Sequence, residues 1–121
     1  MKFACLPVLL LVAACKPLPD ERYEMPGTDP VAGLEIMKKV GCGSCHAIPG
    51  IKWPRGGVGP GLDGFADQAL IAGRVQNRPE ILAAFVRNAP AVVPGTSMPA
   101  MPLTPEESRD VAAYLYTLER R

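Results

Sequence analysis

The chain has 121 residues, a formal charge of +1, and apolar and charged fractions of 48% and 21%, which leaves room for one domain and little more. A charge this close to zero provides no basic footprint, so nothing in the composition supports nucleic-acid binding. Pro (14) and Gly (12) are frequent and aromatic residues scarce at 6%, so the fold expected has long loops and a thin aromatic core.

The N-terminus reads as an address. Met1-Lys2 is a minimal positive start, Phe3 to Val12 is an apolar run interrupted by Pro7, and Val12-Ala13-Ala14-Cys15 resembles a bacterial lipoprotein lipobox. The run is shorter than the ~20 apolar residues that a membrane-crossing helix needs, so residues 1–14 are expected to be an export signal. Cleavage before Cys15 would leave its thiol to carry diacylglycerol; the alternative is ordinary cleavage after Ala13-Ala14, with Cys15 a free thiol. Cys5 is removed in both cases. Without Lys2 the bases fall from 13 to match the 12 acids, so net charge alone steers nothing. The domain is expected on the periplasmic side of a bacterial membrane, anchored through lipid on Cys15. Residues 15–28, with Pro17, Pro19 and Pro26 and no hydrophobic period, read as a flexible tether. At ~3.1 Å per extended residue it would reach about 40 Å, beyond the ~13 Å radius of a domain this size.

The folded domain is expected from residue 29 to 121. Asp29 suits an N-cap and Pro30 the first helical position, and the helix they open should run from Val31 to Val40 before Gly41 breaks it. Gly33 inside that helix costs ~1 kcal/mol against Ala, which points to close contact with another helix. Lys38 and Lys39 fall in the last turn, where cations suit the dipole.

Directly after the break comes Cys42-Gly43-Ser44-Cys45-His46, a C-x-x-C-H run. Two thiols three residues apart face the same way on one turn, as attachment to the two vinyl groups of a porphyrin requires, and the imidazole next in line is placed for its iron. A redox disulfide would want a βαβ pattern around the pair, and a zinc cage would want a second pair of ligands. Neither pattern is present: after His46 the sequence has no further Cys or His. One motif and one histidine mean one haem, and a bis-histidine haem is excluded. Such a flat apolar body would also supply the buried area that the side chains lack.

From Ala47 to Gly64 the chain carries Pro49-Gly50, Pro54, Gly56-Gly57, Gly59-Pro60-Gly61 and Gly64, a loop long enough to wrap a ligand. Trp53 and Arg55 within it are either partners of a haem propionate or solvated loop residues. Phe65 to Val75 reads as a short helix or two. Asn77 and Glu80 form a capping box for a helix whose apolar face is Ile81, Leu82, Phe85 and Val86. Residues 89–103 are a second loop, with prolines at 90, 94, 99 and 102. Thr104-Pro105-Glu106-Glu107 then opens a last helix with Val111, Tyr114, Leu115 and Leu118 on one face. No β pattern of useful length appears, so the fold class expected is all-α.

A haem bound by one histidine has a second axial position to fill. Thioether sulfur is soft and neutral and favours reduced iron. Met98, between Pro94-Gly95 and Pro99, is the natural candidate, and Met101 competes with it. Met37 faces a helix core by its spacing, and Met25 belongs to the tether.

The order Gly33, Met37, Cys42-Gly43-Ser44-Cys45-His46, Gly59-Pro60-Gly61-Leu62, Pro94-Gly95-Thr96-Ser97-Met98-Pro99 and Ala113-Tyr114-Leu115 resembles the class I c-type cytochromes, over residues 29 to about 119. The resemblance implies a small helical fold around one covalent haem c, with first and last helices crossing at Gly33 and Tyr114. It implies His46 as proximal and Met98 as distal ligand, and Pro60 as the residue whose carbonyl accepts a hydrogen bond from the proximal histidine. Met37 stands where the family usually has an aromatic residue, a departure that touches the helix crossing and leaves the haem chemistry alone. The function expected is single-electron transfer between membrane or periplasmic redox partners, without catalysis by the domain itself. The alternatives are a fixed haem subunit of a larger oxidoreductase and a ligand-binding sensor with a labile distal Met.

Overall fold

In the computed structural model of the chain, residues 24–120 are described. The expected export signal, Cys15 and most of the expected tether lie outside the described residues.

Helix α1 (Pro30–Val40) begins and ends as its sequence dictates. Asp29 is extended, and its carboxylate accepts from the N–H groups of Val31 and Ala32 at 2.9 and 3.1 Å, satisfying two donors that the helix itself leaves open. Gly41 ends the helix at φ 90°, a left-handed position open to glycine, and its N–H donates to the Met37 carbonyl. Helix α4 (Pro105–Leu115) starts with the expected reciprocal cap: Glu107 N–H donates to the Thr104 hydroxyl at 3.1 Å and Thr104 N–H to the Glu107 carboxylate at 2.9 Å.

Among the described residues, α1 and α4 form the most extensive helix pair, and α2 (Pro79–Arg87) packs on α4 beside it. A Cβ on Gly33 would overlap the Asp110 carbonyl, so the two helices meet backbone to backbone there. Asp110 also accepts the Asp29 N–H at 2.8 Å, tying the cap of α1 to α4. The core beneath holds Met37 and Val111 at 2% exposure and Leu82 at 1%. Tyr114, one turn beyond Asp110, donates its hydroxyl to the Pro49 carbonyl at 2.7 Å. Burial holds that phenol above its usual range, against an opposing pull from Lys38.

Four details differ from the sequence expectation. Phe65–Asp67 is a single 3-10 turn, and residues 70–76 form a hairpin, β1 (Leu70–Ile71) against antiparallel β2 (Val75–Gln76). The chain reverses because Ala72 and Gly73 both take positive φ, 51° and 66°. Inside the second proline-rich loop, Ala89–Val92 forms a short helix α3, with Pro90 in the first turn where a missing N–H is harmless. Asn77 does not cap α2: Arg78 occupies that position without a side-chain bond, and Glu80 pairs with Arg109 of α4 instead. Finally, residues 24–28, expected at the end of the tether, lie against the domain. Met25 is buried at 9%, its carbonyl accepts from the Thr28 hydroxyl, and the Pro26 carbonyl accepts from Arg109.

Two variants test this packing. Gly33→Ala should destabilise the fold by about 1–3 kcal/mol, since the clash is with backbone that cannot rotate away; urea denaturation measures it. Tyr114→Phe should cost about 1 kcal/mol at pH 7 through the lost hydrogen bond. A phenol with a raised folded pKa stabilises below its unfolded value of about 10 and loses that contribution above it. The gap between wild type and Y114F should therefore narrow as denaturation is repeated above about pH 10.

Candidate functional site

The C-x-x-C-H motif hangs directly from the end of α1. Cys42–Ser44 form one 3-10 turn, and the Cys42 carbonyl accepts from both the Cys45 N–H at 3.2 Å and the His46 N–H at 3.1 Å. The tight turn sets both sulfurs and the imidazole close in space. Cys42 is half-buried and Cys45 exposed. Burial pushes the Cys42 thiol above its usual range and the neighbouring Cys45 adds to this, while a backbone hydrogen bond opposes them.

The loop expected to wrap a ligand doubles back on this turn. Gly56 N–H donates to the Gly43 carbonyl at 2.8 Å, Gly59 N–H to Cys45 at 2.8 Å and Leu62 N–H to Ala47 at 2.9 Å. Side chains would obstruct this approach. A Cβ on Gly56 would overlap the Ser44 carbonyl, and one on Gly59 would stand 2.7 Å from Nδ1 and 2.9 Å from Nε2 of His46. The loop backbone therefore passes close against the His46 ring.

His46 Nδ1 is 2.7 Å from the Pro60 carbonyl oxygen. A carbonyl can only accept, so Nδ1 carries the proton and Nε2 keeps its lone pair. Trp53, at 85% exposure, and exposed Arg55 do not line the adjoining cleft, so the structure places both at the solvated surface.

Cys42, Cys45, His46 and Pro60 face a cleft of about 430 Å³ whose apolar walls include Leu62, Phe65, Ile71 and Phe85. It continues inward to a pocket of about 60 Å³ against Met37, Leu82 and Val111. Met98 and Met101 line both spaces. Their backbones are held differently. Met101 N–H donates to the Arg87 carbonyl at 2.9 Å and its own carbonyl accepts from Leu103 at 2.8 Å, whereas Met98 N–H has a 3.4 Å contact to the Thr96 hydroxyl. No cluster of three or more His, Cys, Asp or Glu that could hold a metal ion exists among the described residues. The donor set fits a haem: two thiols at one edge, one imidazole with a free Nε2, two thioethers, and an apolar cleft within the ~300–1,000 Å³ usual for ligand sites.

A model of the cytochrome c family matches residues 30–119. The chain belongs to the cytochrome c family. Membership implies covalent haem c through the C-x-x-C pair, Cys42 and Cys45. It is 34% identical over 89 residues to cytochrome c-551 of Ectopseudomonas mendocina, covering 73% of this chain and 99% of that protein. It is 31% identical over 88 residues to cytochrome c oxidase subunit 2 of Alkalihalophilus pseudofirmus, covering 72% of this chain but spanning only 25% of that protein's length. A chain in the crystal structure of SoxXA from P. pantotrophus superimposes with a TM-score of 0.56 at 25% identity, covering 77% of this cytochrome and 83% of that chain.

Two residues support the cleft that sequence reasoning missed. Asn77, 3% exposed, donates to the Gln68 carbonyl at 2.9 Å and the Phe65 carbonyl at 3.4 Å and accepts from the Tyr116 hydroxyl at 2.9 Å. Gln68 and Phe65 both line the cleft, so Asn77 braces one wall from behind. Arg87 braces another: its carbonyl holds Met101 and its Nε donates to the Leu103 carbonyl at 3.1 Å. No local signal marks either residue for this role, because each acts on backbone distant in sequence. Asn77→Ala removes the side-chain donor to Gln68 and should destabilise the domain by at least about 2 kcal/mol, read from denaturation monitored at the haem band.

Proposed function

We propose that the domain holds one haem c through thioethers from Cys42 and Cys45, with His46 as proximal and Met98 as distal iron ligand. It then passes single electrons between a donor and an acceptor protein at the periplasmic face of a bacterial membrane. The observation that carries this reading is His46, oriented by Pro60, in an apolar cleft that a proline-stiffened methionine loop also lines.

When bound, haem supplies an iron that takes up and returns one electron. The protein's own residues set the conditions. The Pro60 carbonyl fixes the tautomer of His46 and keeps the ring from turning. The Met98 thioether is uncharged and soft and favours the reduced ion, which raises the potential. Leu62, Phe65 and Phe85 keep water from the cleft floor and disfavour the more highly charged state. With His46 and Met98 both holding the iron, no position on it would remain for a substrate, and the domain would act as a carrier.

Residues 1–14 would be the signal, Cys15 the lipidated terminus, and 15–28 a tether between membrane and domain. The likeness to an oxidase subunit 2 supports a terminal oxidase as acceptor. That likeness equally supports a second reading, a fixed subunit of such a complex, which would copurify with a membrane enzyme where a free carrier would not.

Absorption spectra of oxidised and reduced protein, with a mass measurement, test the assignment. Met98→Ala should abolish the Met-to-ferric charge-transfer band and Met101→Ala should retain it; the opposite pattern would move the ligand to Met101. Rapid, complete binding of carbon monoxide to the reduced wild type would favour the sensor alternative. The mass should carry one haem and, in protein from membranes, lipid on Cys15.

A further inference from the structure

The methionine loop is tied to the rest of the molecule through one helix end. Thr96 N–H closes a local turn on the Val93 carbonyl at 3.1 Å. Beyond that turn, the hydrogen bonds that leave residues 94–103 among the described residues all reach the C-terminus of α2. Met101 N–H donates to the Arg87 carbonyl at 2.9 Å, Ala100 pairs with Asn88 in an isolated antiparallel bridge, and Arg87 Nε donates to the Leu103 carbonyl at 3.1 Å. Pro94, Pro99 and Pro102 have no N–H to add to these ties. The first tie suits the helix as well, because the last carbonyls of a helix have no partner within it. The Arg87 Nε bond alone is made by a side chain across this gap, and a substitution can remove it while leaving the backbone bonds in place.

Helix α2 is a firm reference for the loop. Its N-terminal end is joined to α4 through the Glu80–Arg109 pair, and its middle buries Leu82, Phe85 and Val86. Opposite its C-terminal end, Met98 rides on an arch that rises after Val93 and comes down at Met101. Leu103, 8% exposed, lines the inner pocket beside both methionines, and Thr104 next to it caps α4. Arg87 therefore fastens the foot of the arch where the chain passes into the last helix. A guanidinium suits this task, since its planar Nε can meet a carbonyl while the terminal nitrogens stay in water, and Arg87 is exposed.

We propose that Arg87 is a positioning residue for the distal ligand: its Nε–H holds the Leu103 foot of the loop, and that hold sets how readily Met98 leaves the iron. The proposal rests on the reading of Met98 as ligand. An arch fastened at both feet can withdraw its sulfur only by bending between them; with one foot loosened, the loop opens as a local unit at lower cost. A competing ligand reaches the iron only in the open form, so its apparent affinity reports how much of that form is present. Such coupling is reciprocal, so displacing Met98 weakens the Arg87–Leu103 bond in turn.

The test titrates imidazole into the ferric, haem-loaded, full-length protein and follows the main haem absorption band. Arg87→Met should keep the Met-to-ferric charge-transfer band in the absence of imidazole and raise the apparent imidazole affinity about tenfold or more, as loss of a charged hydrogen bond implies. Arg87→Lys, which retains the charge on a differently shaped donor, should fall between. Arg78→Met removes a cation from the other end of the same helix, where the side chain makes no capping bond, and should match the wild type. In a Met98→Ala background, Arg87→Met should change nothing, because no sulfur is left for the loop to present. An effect that persists there marks a general loosening of the cleft and overturns the proposal, as does R87M that binds imidazole like the wild type. The wild type supplies a measurement that needs no variant to fold. Solvent exchange of the Arg87 Nε–H should quicken when imidazole saturates the protein, and that of Arg78 should not; an unchanged Arg87 rate overturns the proposal. A wild type without the charge-transfer band, or M98A that keeps it, sinks the ligand reading and the proposal with it, whereas R87M that behaves as wild type beside a bandless M98A sinks the proposal alone.

Discussion

Three backbone hydrogen bonds, from Gly56, Gly59 and Leu62 back to Gly43, Cys45 and Ala47, hold the site together. They lay a glycine-rich loop along the C-x-x-C-H turn at a spacing that side chains would prevent, and that closeness is what presses the loop against the His46 ring. The bond from His46 to Pro60 is a consequence, because the Pro60 carbonyl sits between two of the tethered residues. A loop of this composition has high conformational entropy when unfolded, so ordering it costs roughly 1–2 kcal/mol per residue. The bonds and the apolar cleft they close have to offset that cost together, and a cofactor held covalently in the cleft would add its own buried area to the same side.

The helix crossing serves that arrangement. Contact between the Gly33 and Asp110 backbones places the last turn of α1 over the core, and Gly41 then turns the chain so that Cys42 enters the cleft with no intervening linker. Met37 fills the space one turn below the crossing at 2% exposure. A flexible thioether adapts to irregular gaps, so the crossing closes without the aromatic residue that usually stands there.

Those parts of the fold governed by neighbouring residues were legible in the sequence. The Asp29 cap, the Gly41 stop, the Thr104–Glu107 box and the motif with its adjoining histidine all depend on residues within four positions of one another. Asn77 was misread for the opposite reason. Asn three residues before Glu is a good capping pattern, but two carbonyls of the 65–68 turn and the Tyr116 hydroxyl compete for the same side chain, and satisfying buried polar groups outweighs an exposed cap. Met25 was misplaced likewise: its neighbours are polar and proline-rich, and only the surface of the folded domain supplies it with a place to be buried. The hairpin at 70–76 was hidden because strands of two residues carry no period to detect.

The methionine loop combines both kinds of information. Pro90, Pro94, Pro99 and Pro102 have no N–H to leave unsatisfied where the chain passes an apolar cleft, and each fixes its own φ without help from a hydrogen bond. That stiffening is local and readable. The position of the loop is not, because it depends on Arg87 and Asn88 at the end of α2, which hold Met101 and pair with Ala100. Anchoring falls at Met101 while Met98 lies three residues nearer the Pro94-Gly95 turn. A thioether on an anchored backbone is restricted to the positions its side-chain rotamers allow. One on the less tethered, proline-stiffened stretch can settle at the distance an iron demands, which is the physical reason to propose Met98 ahead of Met101 as the distal ligand.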